Sequence, residues 1–311
     1  MPVAAGYLKR FSLSPSSAAA IYGCFLLLLT YAVAPAMAPG RALLGGFIAR
    51  GHKAVIIPVM LALPYFCYAA GTGDFRWPAL GRLIAITAPV ILLYSVFPVR
   101  DAANFSWQDA FVAIYLALIV VLHLFKGIWN VPVNLDFMGR LLMVSLGALS
   151  WTFIRPVPDL GYRLECGKTA LFAVAKNFVF FSAIAMPLGL VLGFTSWNPR
   201  WQSLQDFLLS CLEIFLFVAL LEELFFRGFL QNLLAKSLHS WWRGQLIASC
   251  IFGLFHILHA PFPNWRYVAL ASIAGWFYGA AYRAGGTLLS SALMHAMVDT
   301  VWRTFFTKSG Y

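Results

Sequence analysis

The composition of the chain indicates a polytopic membrane protein. Of its 311 residues, 61% are hydrophobic and only 11% are charged. A soluble domain of this length needs far more polar surface, so the composition excludes a soluble globular fold. The formal net charge is +11, but the basic residues are dispersed between apolar stretches. This dispersion excludes a nucleic-acid partner and favours the lipid bilayer, with its anionic headgroups.

Apolar stretches long enough to cross a bilayer recur along the whole chain. About 20 apolar residues span the hydrocarbon core, and this length predicts an all-α, polytopic transmembrane helical bundle of about 8–10 spans. The first apolar run is too long for the h-region of a signal peptide, so we expect it to be retained. The predicted spans lie near residues 17–38, 54–70, 80–98, 108–125, 138–154, 170–194, 206–235, 245–260, 266–283 and 287–306.

One polar, turn-rich stretch divides the chain. Residues 153–168 contain Pro156 and Pro158, which stop helices, and charges that favour an interfacial loop. We therefore expect a domain of N-terminal transmembrane helices over residues 1–160 and a second domain over residues 161–311. Before the stretch the charges lie in loops, apart from His123. After it, ionisable residues fall inside predicted spans, namely Lys176, Glu213, Glu222, Glu223, Arg227, His256, His259, His295 and Asp299.

The ninth span carries a series of small residues at helical spacing. Ala271, Gly275 and Gly279 recur every four residues and therefore share one face of a helix. Small residues on such a face let another helix approach closely. We interpret the series as a packing surface.

Two adjacent glutamates and an arginine lie in the apolar segment ALLEELFFRGF, where charged side chains are expensive. Glu223 and Arg227 are four residues apart on a predicted helix, so they share a face and can form an ion pair. Glu222 points about 100° away from them. We expect Glu223 and Arg227 to neutralise one another and Glu222 to be available for chemistry. The alternative is a buried ion network without a reaction.

Two further motifs bring histidines to the same depth. Phe252 and His256 are four residues apart, and so are His295 and Asp299. With a rise of 1.5 Å per residue, Glu222, His256 and Asp299 lie roughly 20, 17 and 18 Å from one side of the membrane, and His295 roughly 12 Å. Three helices therefore deliver ionisable groups to one layer, which predicts a single site.

The residue types in this layer suit amide hydrolysis inside the bilayer. A desolvated glutamate with an imidazole can polarise a water for attack on a carbonyl, and a second imidazole can stabilise the oxyanion. Other protease designs fit poorly, because the chain lacks the zinc motif HExxH, a GxSG nucleophile motif and a second deep aspartate. The five scattered cysteines form no CxxC pair, which argues against a zinc-thiolate site.

Three ordered motifs resemble the CPBP family, the CAAX-protease and bacteriocin-processing (Abi) enzymes. EExxxR, FxxxH and HxxxD follow one another within residues 170–306. The resemblance implies a glutamic-type intramembrane endopeptidase that needs no metal or cofactor. Its implied substrate is a membrane-associated protein or peptide, such as a C-terminal tail. Its implied location is the bacterial cytoplasmic (inner) membrane.

The resemblance also assigns roles to individual residues. Glu222 and His256 activate water, and His295 and Asp299 form the oxyanion site. Glu223, Arg227 and Phe252 support these four residues. The chain has Asp299 where Asn is more usual, so Asp299 either donates to the oxyanion as a neutral acid or orients His295. We favour donation, because it preserves the geometry of the usual Asn.

Two other functions are compatible with the same residues. Glu222, Glu223, His256 and His295 could bind a divalent metal in a metal-dependent membrane protease. A non-proteolytic immunity or transport protein could instead use the charged cluster for binding. The ordered set of three motifs favours the endopeptidase, since a transporter has no reason to hold it.

Overall fold

The computed structural model describes residues 13–129 and 135–308, and these residues are almost entirely helical. This confirms the predicted all-α class. The described residues form eleven helices: α1 (Pro15–Val33), α2 (Ala38–Ala49), α3 (Lys53–Thr72), α4 (Trp77–Val96), α5 (Trp107–Val121), α6 (Asp136–Leu149), α7 (Lys168–Val191), α8 (Leu204–Ser237), α9 (Trp241–Leu254), α10 (Trp265–Gly285) and α11 (Leu288–Phe305). Two short strands, β1 (Thr195–Trp197) and β2 (Phe306–Lys308), pair antiparallel with Trp197 opposite Phe306.

The described chain forms two compact units. The first contains the described residues up to Arg100 together with Ser106–Pro156, and therefore holds α1 to α6. The second contains Asp101–Phe105 and the described residues from Val157 onward, and therefore holds α7 to α11 with both strands. All of the residues singled out by the three motifs lie in the second unit.

Six of the described helices are long and apolar enough to cross a membrane, which makes this an integral, polytopic membrane protein. They are Pro15–Ala36, Lys53–Thr72, Trp77–Val96, Asp136–Ile154, Lys168–Val191 and Leu204–Ser237. The spans predicted near 108–125, 245–260, 266–283 and 287–306 correspond to α5, α9, α10 and α11, which do not meet both criteria. Helices α5 and α9 have only 15 and 14 residues, whereas α10 and α11 contain the glycines, hydroxyl groups and ionisable side chains that lower their hydropathy.

Helix α8 has an unusual internal structure. Its Ser203 cap accepts a hydrogen bond from the backbone N–H of Asp206, and the helix then continues for 34 residues, or roughly 50 Å. Two π-helical segments, Phe215–Ala219 and Leu224–Gln231, interrupt the α-helical geometry. The α-helical turn between them, Leu220–Glu223, carries both motif glutamates. Because π-helical segments occur frequently at functional sites, this position singles out the glutamates independently of their charge.

The small residues of α10 form the predicted packing surface. A Cβ atom at Gly275 would lie 3.1 Å from the Phe252 ring of α9. One at Gly279 would lie 2.4 Å from the Gln231 side-chain oxygen of α8. A side chain at either position would displace its neighbour, so the prediction of close helix approach is confirmed. This approach brings Phe252 next to the ionisable groups of α8.

The first unit contains a buried ion pair, contrary to the expectation that its charges lie in loops. Asp109, in the first turn of α5, and Arg155 have side chains 0% and 2% exposed. The guanidinium donates from Nε and Nη2 to the two carboxylate oxygens over 3.2 and 3.0 Å. The Tyr94 hydroxyl and the Ser106 backbone N–H also donate to the carboxylate. Sequence spacing gave no signal for this pair, because its members are 46 residues apart.

We predict that Asp109→Asn destabilises the protein strongly. The amide leaves the buried Arg155 charge without its counter-ion, and breaking a buried pair in this way costs about 3–5 kcal/mol. The free energy of unfolding in detergent micelles checks this. Asp136→Asn is the matched control, because the pair of Asp136 with Lys126 is 3.8 Å long and about half exposed. An equal effect of the two substitutions would contradict the prediction.

Candidate active site

The motif residues are positioned by three parts of the second unit. Helix α8 carries Glu222, Glu223 and Arg227, and α11 carries His295 and Asp299. Phe252 lies near the end of α9, and His256 lies in the turns that follow it. Ion-pair contacts between α8 and α11 then bring the carboxylates and His295 together.

Glu223 fixes the orientation of His295. The Nδ1 atom of His295 lies 2.9 Å from Oε1 of Glu223, and both side chains are buried. An ionised carboxylate only accepts hydrogen bonds, so Nδ1 carries the proton and donates. The ring also stacks on Tyr278, with centroids 4.5 Å apart. The imidazole is therefore held in one orientation by a hydrogen bond at one edge and an aromatic face at its side.

The opposite edge of His295 faces the two remaining carboxylates. Its Nε2 atom lies 3.5 Å from Oδ2 of Asp299 and 3.9 Å from Oε2 of Glu222. The Glu222 and Asp299 side chains are 30% and 42% exposed, whereas that of His295 is 4% exposed. This edge is therefore where a substrate or a water can reach the cluster.

The predicted ion pair between Glu223 and Arg227 is present. The Arg227 Nε and Glu223 Oε2 atoms are 3.0 Å apart, and both side chains are fully buried. The guanidinium carbon lies 5.0 Å from the ring centroid of Phe252 and 5.9 Å from that of Tyr278. The guanidinium nitrogens make no well-aligned hydrogen bond among the described residues. The attraction is therefore that of an ion pair with cation–π contacts.

The expected division of labour between the two glutamates needs one correction. Glu223 does not serve Arg227 alone, because its two oxygens bridge Arg227 and His295. Glu222 in turn lies within ion-pair distance of His295. The sequence placed both glutamates on one helix but could not show which of them a residue 72 positions away would contact.

His256 lies beyond the end of α9, and the helix predicted to continue to residue 260 ends at Leu254. The ring Nδ1 of His256 lies 2.9 Å from the Phe252 carbonyl oxygen. The backbone N–H of His256 bonds to the Gly253 carbonyl and not to that of Phe252. The side chain thus takes the carbonyl that the next helical turn would need, and the helix ends. Because a carbonyl only accepts, Nδ1 carries the proton and Nε2 presents a lone pair. The Phe252 ring contacts both histidines, with centroids 5.0 Å from His256 and 5.9 Å from His295.

Comparison with known proteins identifies a family for the second half of the chain. A family model described as "Type II CAAX prenyl endopeptidase Rce1-like" matches residues 201–301, which contain all seven motif residues. An Escherichia coli protein described as an "Uncharacterized 24.3 kDa protein" is 32% identical over 170 residues, covering 53% of this chain and 75% of the relative. The chain belongs to the Rce1-like family. Membership confirms the sequence resemblance and implies a membrane-embedded protease that acts on a protein substrate. No solved structure matches the chain.

Two tyrosines complete the site of this family member and were missed by the sequence analysis. Tyr267 lies with its ring centroid 4.5 Å from His256 and 5.0 Å from His259. Tyr278 stacks on His295. The signal was available in the sequence, because these residues are 11 positions apart, about three helical turns, on the helix that carries the small-residue series. His259 is exposed, and its centroid lies 5.8 Å from that of His256.

Two residues predicted to be intramembrane and ionisable do not belong to the site. Lys176 is exposed on α7. Glu213 lies 3.4 Å from Arg303, in a pair whose side chains are 60% and 63% exposed. Position within an apolar segment indicated membrane depth for both residues. It did not indicate the direction in which each side chain points, and that direction separates them from the cluster.

The metal-site interpretation does not fit this arrangement. Both oxygens of Glu223 contact cationic or proton-donating groups, Arg227 and His295, and Nδ1 of His295 donates to that carboxylate. A metal ligand needs a lone pair that points at the ion. In the part of the chain that the structure describes, no group of three or more His, Cys, Asp or Glu residues is arranged to hold a metal ion.

Proposed function

We propose that this protein is a glutamic-type intramembrane endopeptidase in which Glu222 and His256 activate water and His295 and Asp299 stabilise the oxyanion. The observation that carries the proposal is the orientation of His295. Glu223 holds one edge of its ring, so the other edge is directed toward Glu222 and Asp299 at the accessible side of the cluster.

Water activation in this mechanism begins with Glu222. Its carboxylate, partly exposed at the open edge, takes a proton from water as the oxygen attacks the scissile carbonyl carbon. His256 assists, because the Phe252 carbonyl holds its Nδ1–H and leaves the Nε2 lone pair to accept a hydrogen bond from the same water. The C–N bond then breaks, and the captured proton passes to the leaving amine.

The developing oxyanion accepts hydrogen bonds from His295 and Asp299. Nδ1 of His295 is held by Glu223, so a doubly protonated ring donates from Nε2. We assign Asp299 as a neutral acid that donates beside it, as a side-chain amide would. In that state two carboxylates, Glu222 and Glu223, balance two cations, Arg227 and His295. A cluster without net charge is the less costly one inside a membrane.

Glu223, Arg227 and Phe252 act as positioning residues in this proposal. Arg227 holds one oxygen of Glu223, which leaves the other to orient His295. Phe252 packs against both histidines. We further propose that residues 161–311 are the catalytic domain and that residues 1–160 lie outside it. We also propose a bacterial cytoplasmic (inner) membrane as its location, since one relative comes from Escherichia coli and six of the described helices are long and apolar enough to cross a membrane. The family description supports a C-terminal protein tail as the substrate.

We predict that Glu222→Gln impairs catalysis, whereas Glu223→Gln impairs stability. Glu222→Gln abolishes cleavage of a tail peptide but leaves the protein folded, because an amide cannot accept the proton. Glu223→Gln leaves the buried Arg227 charge unpaired and lowers the free energy of unfolding by about 3–5 kcal/mol. A cleavage assay and thermal unfolding in detergent distinguish the two.

The same assay separates the proposed function from its alternatives. Full activity in Glu222→Gln would refute the assignment of the base. Loss of activity on chelation, restored by a divalent metal, would support the metalloprotease instead. Glu165→Gln, in an exposed position of a loop, is the matched control for the chemical change.

The two neighbouring histidines provide a second test. His256→Ala should reduce kcat by at least ~10²-fold, the usual effect of removing an acid–base group. His259→Ala should have a much smaller effect, because this side chain is exposed and lies beyond His256. Steady-state cleavage kinetics measure both. If His259 proves the more sensitive, the assignment of His256 is wrong.

Asp299→Asn tests the oxyanion donor. Since an amide N–H can replace the O–H of a neutral acid, we expect activity to persist or increase. A fall of several orders of magnitude in kcat, with unfolding unchanged, would show that Asp299 instead acts as the charge partner of His295.

A further inference from the structure

A polar cavity lies where α8 begins and α11 ends, away from the motif residues, and its volume is about 280 Å³. Its polar lining includes Arg200, Ser203, Asp206, Ser210 and Arg303. The backbone N–H of Arg200 donates to the carbonyl of Thr304 over 2.7 Å, which holds the segment before α8 against the end of α11. The two arginines therefore reach the cavity from distant parts of the chain.

Positive charge dominates the cavity. Asp206 is the one acid among the described residues that line it, and its carboxylate accepts a hydrogen bond from the Ser203 hydroxyl. Arg200 has no ion-pair partner in the described part of the chain. Arg303 pairs with Glu213 over 3.4 Å, but both side chains are more than half exposed, and such pairs are weak. Two guanidinium groups are thus available to an anion.

The lining also contains a hydroxyl group that lacks a hydrogen-bond partner. The side-chain oxygen of Ser210 is buried, and none of the described residues bonds to it. Buried hydroxyl groups normally have a partner, because an unpaired one has lost its hydrogen bonds to water. Ser203, Asp206 and Ser210 recur at intervals of three and four residues and therefore share one face at the start of α8. A ligand oxygen in the cavity would supply the missing partner.

The surroundings of the cavity are those of a membrane interface. Helix α8 is one of the six helices that are long and apolar enough to cross a membrane. Its first turns carry leucines that are more than half exposed, as expected for contact with lipid chains, namely Leu204, Leu208, Leu209 and Leu212. Trp197 and Trp201 are also more than half exposed, and both rings stack on Phe305. Exposed tryptophans at the end of a span are typical of the level of the lipid headgroups.

We propose that this cavity binds the phosphate group of an anionic phospholipid, with Arg200 and Arg303 as its charged partners and the Ser210 hydroxyl as a further donor. A phosphodiester has two free oxygens, and a guanidinium group donates two parallel hydrogen bonds to such a pair. A glycerol headgroup suits the lining, because its hydroxyl groups can donate to the carboxylate of Asp206. The acyl chains then lie along the exposed leucines of α8, a contact that a free phosphate ion does not make.

A bound headgroup would connect the two helices that carry most of the motif residues. Arg200 lies shortly before α8 and Ser210 lies on it, whereas Arg303 lies on α11. A ligand that binds only the folded state stabilises that state. We therefore expect anionic lipid to raise the unfolding temperature. The inference does not rest on the proposed function, because lipid binding and unfolding are both measured without a substrate.

Lipid binding to the full-length protein in a neutral detergent tests the inference. The protein is titrated with phosphatidylglycerol or phosphatidylcholine, and native mass spectrometry gives the Kd of the most tightly bound lipid. Phosphatidylglycerol should bind at least about tenfold more tightly, as expected for charge-assisted hydrogen bonds. Arg200→Gln and Arg303→Gln should each remove most of this preference, and Ser210→Ala should weaken phosphatidylglycerol binding to a smaller extent. Arg243→Gln, in the exposed first turn of α9, removes the same charge and is the matched control that should preserve the preference.

Two results of this titration would overturn the lipid site. Equal binding of the two lipids is one. An equal loss of the preference in Arg243→Gln and in the cavity variants is the other, because it would show attraction by the net charge alone. Inorganic phosphate, added as a competitor, distinguishes a lipid from a soluble anion. Displacement of phosphatidylglycerol by a similar concentration of phosphate would identify a soluble-anion site and refute the proposal.

Thermal unfolding provides a second readout. Phosphatidylglycerol should raise the unfolding midpoint of the wild type and of Arg243→Gln relative to phosphatidylcholine. The midpoints of Arg200→Gln and Arg303→Gln should match the wild type in phosphatidylcholine, because both side chains are exposed, and should rise little with phosphatidylglycerol. An increase of the same size in all four proteins would contradict the assignment of the two arginines.

Discussion

The buried carboxylate of Glu223 is the contact on which the rest of the site depends. Its two oxygens join Arg227 on its own helix to His295 on another. Each of the three groups would be costly to bury alone, because an isolated charge in an apolar setting costs several kcal/mol. Together they compensate one another. The hydrogen bond from Nδ1 to Glu223 thereby orients the imidazole.

Helix α8 gives the two glutamates different surroundings. Both lie in the α-helical turn between the two π-helical segments, where adjacent side chains point about 100° apart. Glu222 then lies at the open edge of His295, while Glu223 is buried behind it. Adjacent residues of one type thus have different environments. This difference is what allows one carboxylate to support the site and the other to be proposed as the base.

The polar residues of the site lower the hydropathy of the helices that carry them. Helices α10 and α11 are long enough to span a bilayer but less apolar than the six helices that meet both criteria. Their small and polar residues instead allow close packing, as at Gly275 and Gly279. Helix α9 ends early because the His256 ring takes the carbonyl of Phe252. In the second unit, the closely packed polar cluster is therefore built on helices that are less apolar than the membrane-spanning ones.

Features that depend on local spacing could be predicted from the amino-acid sequence. Apolar length predicted the helical class, and the four-residue spacing predicted the contact between Glu223 and Arg227. The order of the three motifs predicted the family. Spacing along a helix fixes which neighbours share a face, and these features follow from it.

Which helix faces meet follows from the packing of the folded protein. It brought Glu223 to His295, placed Tyr278 against that ring and paired Asp109 with the distant Arg155. It also directed Lys176 and Glu213 away from the cluster and ended α9 before His256. The physical reason is that contacts between helices depend on their rotation and on local departures from α-helical geometry. Neither is encoded in the spacing of residues along one helix.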